Sequence, residues 1–156
     1  MGDTPLRKTE GHDTACIHAT CVSVEGCGIL ILGPAGAGKS GLALQMMALG
    51  ASLVSDDQVA LTMQTGEVIA DAPQALRGLV EARGIGLLRA NPAGAVPIRY
   101  VVDLGQTETA RLPEHEFVQV LRQTVPLLRG EGLPNLAAAL MQLARLGRVD
   151  PEWPNT

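Results

Sequence analysis

Residues 33–40 read Gly33-Pro-Ala-Gly-Ala-Gly-Lys-Ser40, which fits G-x-x-x-x-G-K-S. This is the phosphate-binding P-loop pattern. Its glycines let successive backbone N–H groups turn inward around an anionic phosphate. Lys39 supplies a point charge for the β- and γ-phosphates, and the Ser40 hydroxyl can ligate Mg²⁺. The flanks agree. Gly28-Ile-Leu-Ile-Leu32 ahead of the loop has the pattern of a short buried strand. Ser40-Gly-Leu-Ala-Leu-Gln-Met-Met-Ala-Leu49 after it is apolar and helix-forming, and a helix starting there points its positive end at the phosphate. The alternative is a glycine-rich turn before an ordinary helix. Lysine usage favours the P-loop: the chain has two lysines, Lys8 in a polar opening stretch and Lys39 where the motif needs one. The nucleotide-binding candidates are Gly33, Pro34, Ala35, Gly36, Ala37, Gly38, Lys39 and Ser40.

With 156 residues and 46% hydrophobic composition, the chain can build one domain around one core. Aromatic residues make up 2%, so that core is aliphatic and a stacking platform for single-stranded nucleic acid is disfavoured. A net charge of −4 without a basic run argues against general nucleic-acid binding. No apolar run approaches the roughly 18 residues of a membrane helix. Met1 to Asp13 is polar and lacks the apolar segment of a signal peptide. Leu6 stands where the myristoylation pattern needs Ser or Thr. A cytoplasmic protein is expected. Cys16, Cys21 and Cys27 are odd in number and match no common zinc spacing. Small buried residues in a reducing compartment are the expected reading, with a metal site including His18 as the minor one.

Working outward, residues 1–13 read as a mobile leader, 14–147 as a single P-loop domain and 148–156 as a tail. Residues 16–24 alternate and are β-branched, which predicts one strand; Glu25-Gly-Cys-Gly28 predicts a turn. A strand joined to the P-loop strand by so short a turn must lie antiparallel to it. The expected fold class is therefore α/β with a mixed sheet. A helix over 39–49 ends at Gly50, and a strand over 51–57 ends in two acids. Residues 58–63 and 67–70 flank Gln64-Thr-Gly66 as a hairpin. Pro73 opens a predicted helix over 74–82, and 83–97 reads as a loop. Strands are predicted over 97–104 and 124–129, and helices over 114–122 and 135–146.

The candidates for chemistry follow from this layout. Asp56 and Asp57 end the strand after the P-loop helix, within reach of Mg²⁺ or an attacking group. Adjacent strand residues point to opposite sides, so one can sit beside the metal while the other faces an acceptor hydroxyl as general base. The plain alternative is an Asx turn. Glu81 and Arg83 lie in Leu79-Val-Glu-Ala-Arg-Gly-Ile-Gly86, at the expected helix end. They could serve a metal and a phosphate, or form an exposed helix terminus favoured by its dipole. His18 lies in the strand paired with the P-loop strand and by itself reads as an ordinary histidine.

Together these pieces resemble the catalytic domain of HPr kinase/phosphorylase. Four matches carry the resemblance in order: His18-Ala-Thr-Cys-Val-Ser-Val-Glu-Gly, the P-loop, the Asp56-Asp57 pair, and Leu79-Val-Glu-Ala-Arg-Gly-Ile-Gly-Leu87 preceded by Ala72-Pro73. It spans about His18 to Leu104, more weakly through the last helix. The resemblance implies a sheet like that of phosphoenolpyruvate carboxykinase. It also implies a Mg²⁺- and ATP-dependent protein-serine kinase acting on an HPr-like phosphocarrier, with dephosphorylation by inorganic phosphate as a second reaction. It assigns Lys39 to the phosphates, Ser40 to Mg²⁺ and Asp56 to the serine proton as catalytic base. Asp57 and Glu81 support the metal, His18 sits near the transferred phosphate, and Arg83 shapes the site. A homo-oligomer, a hexamer in the family, is the implied assembly.

The departures are local. Full-length members carry an extra N-terminal domain, whereas this chain reads as the catalytic part, a short form. Gly41 stands where the family usually has an acid after the P-loop serine. Gly132-Leu-Pro-Asn135 stands where it has a basic Gly-Arg-Asn stretch, and Arg129 is the nearby basic residue. Two other readings remain: a small-molecule P-loop kinase, and a nucleotide-binding regulator without catalysis.

Overall fold

The computed structural model describes residues 5–154. The chain forms β1 (Thr14–His18), β2 (Thr20–Val24), β3 (Cys27–Leu32), the P-loop and α1 (Lys39–Ala48). Then come β4 (Ser52–Ser55), β5 (Gln58–Gln64) and β6 (Glu67–Asp71). A hairpin of β7 (Leu79–Ala82) and β8 (Gly86–Arg89) precedes the long β9 (Val96–Asp103). A hairpin of β10 (Glu116–Val120) and β11 (Gln123–Arg129) leads to α2 (Leu136–Leu146).

Nine strands make one mixed sheet, ordered β1-β5-β6-β9-β3-β2-β4, with β11 also on β9 and β10 on β11. The expected antiparallel neighbour is present: β2 and β3 pair across the turn at 25–26. β3, β9 and β11 run parallel. Their C-terminal ends share one side of the sheet, where open α/β sheets bind ligands. β9 joins two wings, because Val96 and Pro97 pair with β6 while 101–103 pair with β11.

β3 explains the unbroken apolar run ahead of the P-loop. Leu30 and Leu32 enter one core cluster with Ile17, Val54 and Val101. Ile29 and Ile31 enter the other with Val102 and the helix residues Leu42, Met46, Leu140 and Met141. A strand buried on both faces shows no polar side. Each such aliphatic side chain contributes about 1.5–3 kcal/mol, so the strand that delivers the P-loop is firmly held.

Several expectations change. The single strand expected over 16–24 is two strands, broken at Ala19. β1 pairs with β5 whereas β2 pairs with β3 and β4, so the chain must step between partners. The helix expected over 74–82 is one 3-10 turn, Gln74–Leu76, followed by β7. Gly78 turns the chain there at φ 71, and a Cβ on it would lie 2.9 Å from the Ala90 carbonyl oxygen. Val80 is then buried opposite Leu88, so tertiary pairing overrides the helical pattern. Residues 83–97, read as a loop, contain β8. The helix expected over 114–122 is β10, which turns into β11 through Leu121 and Arg122. Leu121 takes φ 52 without a Gly, Asn or Asp to signal the turn, and its side chain is buried.

The mobile leader expected over 1–13 also needs correction where it is described. Leu6 is buried in the cluster that holds Leu121 and Val125, and Arg7–Thr9 form a 3-10 turn. Residues 1–4 of that expectation, and 155–156 of the tail, lie outside the described residues. Trp153 in the tail is exposed.

Candidate active site

The P-loop leaves β3 at Leu32 and enters α1 through Gly38, whose φ of 98 suits only glycine without strain. Lys39 opens α1 and is buried. Its ammonium folds back to donate to the carbonyls of Gly33 at 2.7 Å and Pro34 at 3.2 Å. The lysine thus braces the loop it serves.

Asp56 follows β4 and is 5% exposed. Its carboxylate accepts three separate donors. The Thr20 hydroxyl reaches Oδ1 at 2.7 Å. The Ser40 hydroxyl lies 2.8 Å from Oδ1 and 2.9 Å from Oδ2. The Glu81 backbone N–H reaches Oδ2 at 3.0 Å. β2, α1, β4 and β7 therefore converge on one carboxylate, and charge-assisted bonds of this kind are the strong ones.

Asp57 is built differently. It takes φ 71, a conformation that Asp tolerates better than most residues. The Gln58 N–H donates to the Asp56 carbonyl at 2.9 Å, and the Ser55 hydroxyl to the Gln58 carbonyl at 2.5 Å, closing the bend. The turn throws the Asp57 side chain outward, 65% exposed and 3.3 Å from His18 Nε2, itself 53% exposed. The two aspartates thus point to different places.

His18, Lys39, Ser40, Asp56, Asp57, Glu81 and Arg83 line a single cleft of about 380 Å³. Every side chain singled out for chemistry is gathered there. Glu81 and Arg83 arrive on β7 and its turn, not on a helix end. Thr20 is the member that sequence reasoning missed; a threonine in a buried strand carries no signal. Arg129 lies elsewhere, donating to Glu116 at 2.7 Å beside an apolar pocket. The buried Asp103 is also apart: it takes the Gly105 N–H at 2.8 Å and the Gln106 amide at 2.6 Å, shaping a loop. Burial raises the thiols of Cys21 and Cys27; the neighbouring Cys27 adds to the shift at Cys21, and Arg99 partly offsets it at Cys27.

The donors available to a cation are hard oxygens: the Ser40 hydroxyl and the Asp56, Asp57 and Glu81 carboxylates. Among the described residues no three His, Cys, Asp or Glu form a metal cage. A short oxygen set beside a phosphate loop fits Mg²⁺, which keeps waters and takes its remaining ligands from phosphate.

The HPr serine kinase C-terminal domain model matches residues 12–99 of this chain. The chain belongs to that family. It is similar to HPr kinase/phosphorylase of Aromatoleum aromaticum, 32% identical over 145 residues, covering 81% of this chain and 46% of the relative. It is also similar to HPr kinase/phosphorylase of Geobacillus kaustophilus, 34% identical over 155 residues, covering 86% and 50%. The chain thus spans about half the length of these curated relatives. Its fold matches the solved HPr(Ser) kinase/phosphatase of Coxiella burnetii with TM-score 0.75 and 24% identity, over 84% of this chain and 88% of that one. No helix among the described residues is long and apolar enough to cross a membrane.

Proposed function

We propose that this chain transfers the γ-phosphoryl group of ATP, with Mg²⁺, to a serine hydroxyl of an HPr-like phosphocarrier. Family membership and the relatives' names support the substrate class. One observation supports the mechanism: Asp56 is committed to Ser40, Thr20 and the Glu81 N–H, while its neighbour Asp57 is exposed in the cleft with, among the described residues, only His18 beside its carboxylate, at 3.3 Å.

That contrast favours exchanging the roles implied by the resemblance. Asp56, tied to the P-loop serine, suits the metal side together with Ser40 and Glu81. Asp57 suits the general base, because it is exposed toward an incoming acceptor and oriented by His18. Bound Mg²⁺ would supply charge neutralisation across the β- and γ-phosphates. Lys39 and the loop N–H groups hold the donor phosphates. Asp57 takes the serine proton as the serine oxygen bonds phosphorus and the bond to ADP breaks. In phosphorolysis, an oxygen of inorganic phosphate bonds the phosphorus of phosphoserine as the serine O–P bond breaks, protonated Asp57 gives its proton to the departing serine oxygen, and the pyrophosphate formed is released. Arg83, on the turn beside the cleft, is placed to meet a phosphate.

Three free cysteines suit the cytoplasm, where such a carrier would be met. A homo-oligomer belongs to the same proposal, supported by Ile85 and Leu87 exposed on the β7–β8 hairpin.

Intact-mass analysis of an HPr-type carrier, incubated with the protein, ATP and Mg²⁺, tests the reading. One added phosphate on a carrier serine, lost with Asp57→Asn, is expected. ATP binding without any mass shift would sink the kinase and favour a regulator.

A further inference from the structure

The chain steps between partner strands opposite the acid pair. β1 ends with His18 opposite Gln58, and β2 begins its pairing with β4 at Cys21, opposite Ser55. Ala19 and Thr20 therefore run past Asp56 and Asp57 outside the regular ladder. Consecutive residues use that gap in turn. His18 Nε2 lies 3.3 Å from Asp57 Oδ1. The Ala19 N–H donates to the Asp57 carbonyl at 3.2 Å. The Thr20 hydroxyl donates to Asp56 Oδ1 at 2.7 Å. The exposed acid, its backbone and the buried acid are thus each held from the same step in the chain.

The two oxygens of Asp56 are held unequally. Thr20, 1% exposed, holds Oδ1, and the Glu81 N–H holds Oδ2 at 3.0 Å. The Ser40 hydroxyl stands nearly equidistant from both, at 2.8 and 2.9 Å. Ser40 has one hydroxyl proton, so at any instant it serves one of the two oxygens. Thr20 and Glu81 are therefore the fixed holders of the carboxylate plane. Ser40, the residue that a P-loop lends to Mg²⁺, lies across its open edge. Without the Thr20 hydroxyl, Oδ1 keeps only its share of the Ser40 proton, and the carboxylate can turn about the bond to Glu81.

We propose that Thr20 is a positioning residue for the metal: its hydroxyl fixes the Asp56 carboxylate in the orientation that serves Mg²⁺ beside Ser40. The inference rests on the Mg²⁺- and ATP-dependent kinase reading. Thr20 acts through Asp56, and loss of such an outer holder lowers metal affinity by about 10–100-fold. Valine keeps the shape of threonine and lacks the donor, so it isolates the hydroxyl. Serine keeps the donor and lacks the methyl group.

Calorimetric titration of the full chain with ATP, in EDTA and then at saturating MgCl₂, tests this. The readout is the factor by which the metal tightens ATP. Thr20→Val is expected to reduce that factor by about tenfold or more, with ATP affinity in EDTA unchanged, and Thr20→Ser to keep it. Thr20→Ala, which removes the hydroxyl without adding a methyl group, is run beside them and is expected to match Thr20→Val. Thermal melts of the three variants separate a purely structural role, which would lower Tm and leave the factor at its wild-type level. Either folded hydroxyl-free variant keeping the full factor, or Thr20→Ser losing it, overturns the proposal and leaves the kinase reading in place. A wild-type factor below about tenfold removes the metal reading and the proposal together. Wild-type protein that binds no ATP removes the kinase reading as well.

Discussion

The exchange of roles between Asp56 and Asp57 can be tested with one pair of substitutions, Asp56→Asn and Asp57→Asn. In Asp56→Asn, the amide oxygen can keep the Glu81 N–H, and the Thr20 and Ser40 hydroxyls can turn to accept from the amide nitrogen. All three contacts survive in neutral form. Bonds to charged groups contribute about 1.5–3 kcal/mol and neutral ones about 0.5–1.5. The three contacts together therefore lose about 2–3 kcal/mol, discounted for water entering the cleft. For a chain of this length that lowers Tm by roughly 4–12 °C. Asp57 is mostly exposed, and Asn tolerates its positive φ equally well. Asp57→Asn should therefore stay within about 0.5 kcal/mol of wild type. Kinetics should reverse the order. Asp57→Asn loses a general base and about 10²–10⁴-fold in kcat, with its Mg²⁺ dependence unchanged. Asp56→Asn weakens apparent Mg²⁺ affinity by about 10–100-fold and recovers much of its kcat at saturating metal. The assay is carrier phosphorylation by intact mass across a MgCl₂ titration, beside thermal melts of both variants. Asp56→Asn inactive at every Mg²⁺ concentration, with Asp57→Asn keeping more than a tenth of kcat, would return the base to Asp56.

Other outcomes follow from single contacts. Lys39→Ala should abolish ATP binding while leaving the circular dichroism spectrum intact, because its bonds run only to P-loop carbonyls; retained transfer would remove the loop from the mechanism. Gly28→Ala would drive its Cβ into the Pro97 carbonyl oxygen and to 2.9 Å from Val96 Cγ2. Overpacking of this kind costs about 1–3 kcal/mol or more, and an unchanged urea midpoint would contradict the close β3–β9 approach. Iodoacetamide should label exposed Cys16 first, Cys27 more slowly, and Cys21 only on unfolding; early labelling of Cys21 would refute its burial. The Cys21 thiol is raised in the folded chain, so above its ordinary value of 9.0 the unfolded chain loses a proton that the native one keeps. Stability then falls with rising pH, by about 1.4 kcal/mol per pH unit from this thiol. Cys21→Ala should flatten that alkaline slope in urea melts, and an unaltered slope would assign it elsewhere.

Local, contiguous signals were legible in the sequence. The P-loop, the buried strand before it and the helix after it occupy consecutive residues, and each is stamped by residue type. The short turn at 25–26 forced an antiparallel neighbour and hence a mixed sheet. Spacing alone brought two acids to the end of the strand after α1. Elements without a local signal were not legible. The turn between β10 and β11 rests on a buried leucine at positive φ, which no turn residue announces. β7 is a strand because Val80 finds a partner and a core, although its residues also suit a helix.

The division is the same at the site. Residue identities nominated Lys39, Ser40, Asp56, Asp57, Glu81 and Arg83, because metal, phosphate and proton chemistry require those side chains. Only the tertiary structure shows which of the two aspartates is tied down and which is exposed. Asp56 is fixed by a hydroxyl from β2, another from α1, and a backbone N–H from β7. That N–H is common to every residue except proline, so no letter of the sequence could mark it. Asp57 is freed by a bend whose positive φ is set by the bonds around it. The sequence nominates the chemistry because side chains are local; the fold sets the hydrogen-bond partners, which are not, and the proposed division of roles rests on those partners.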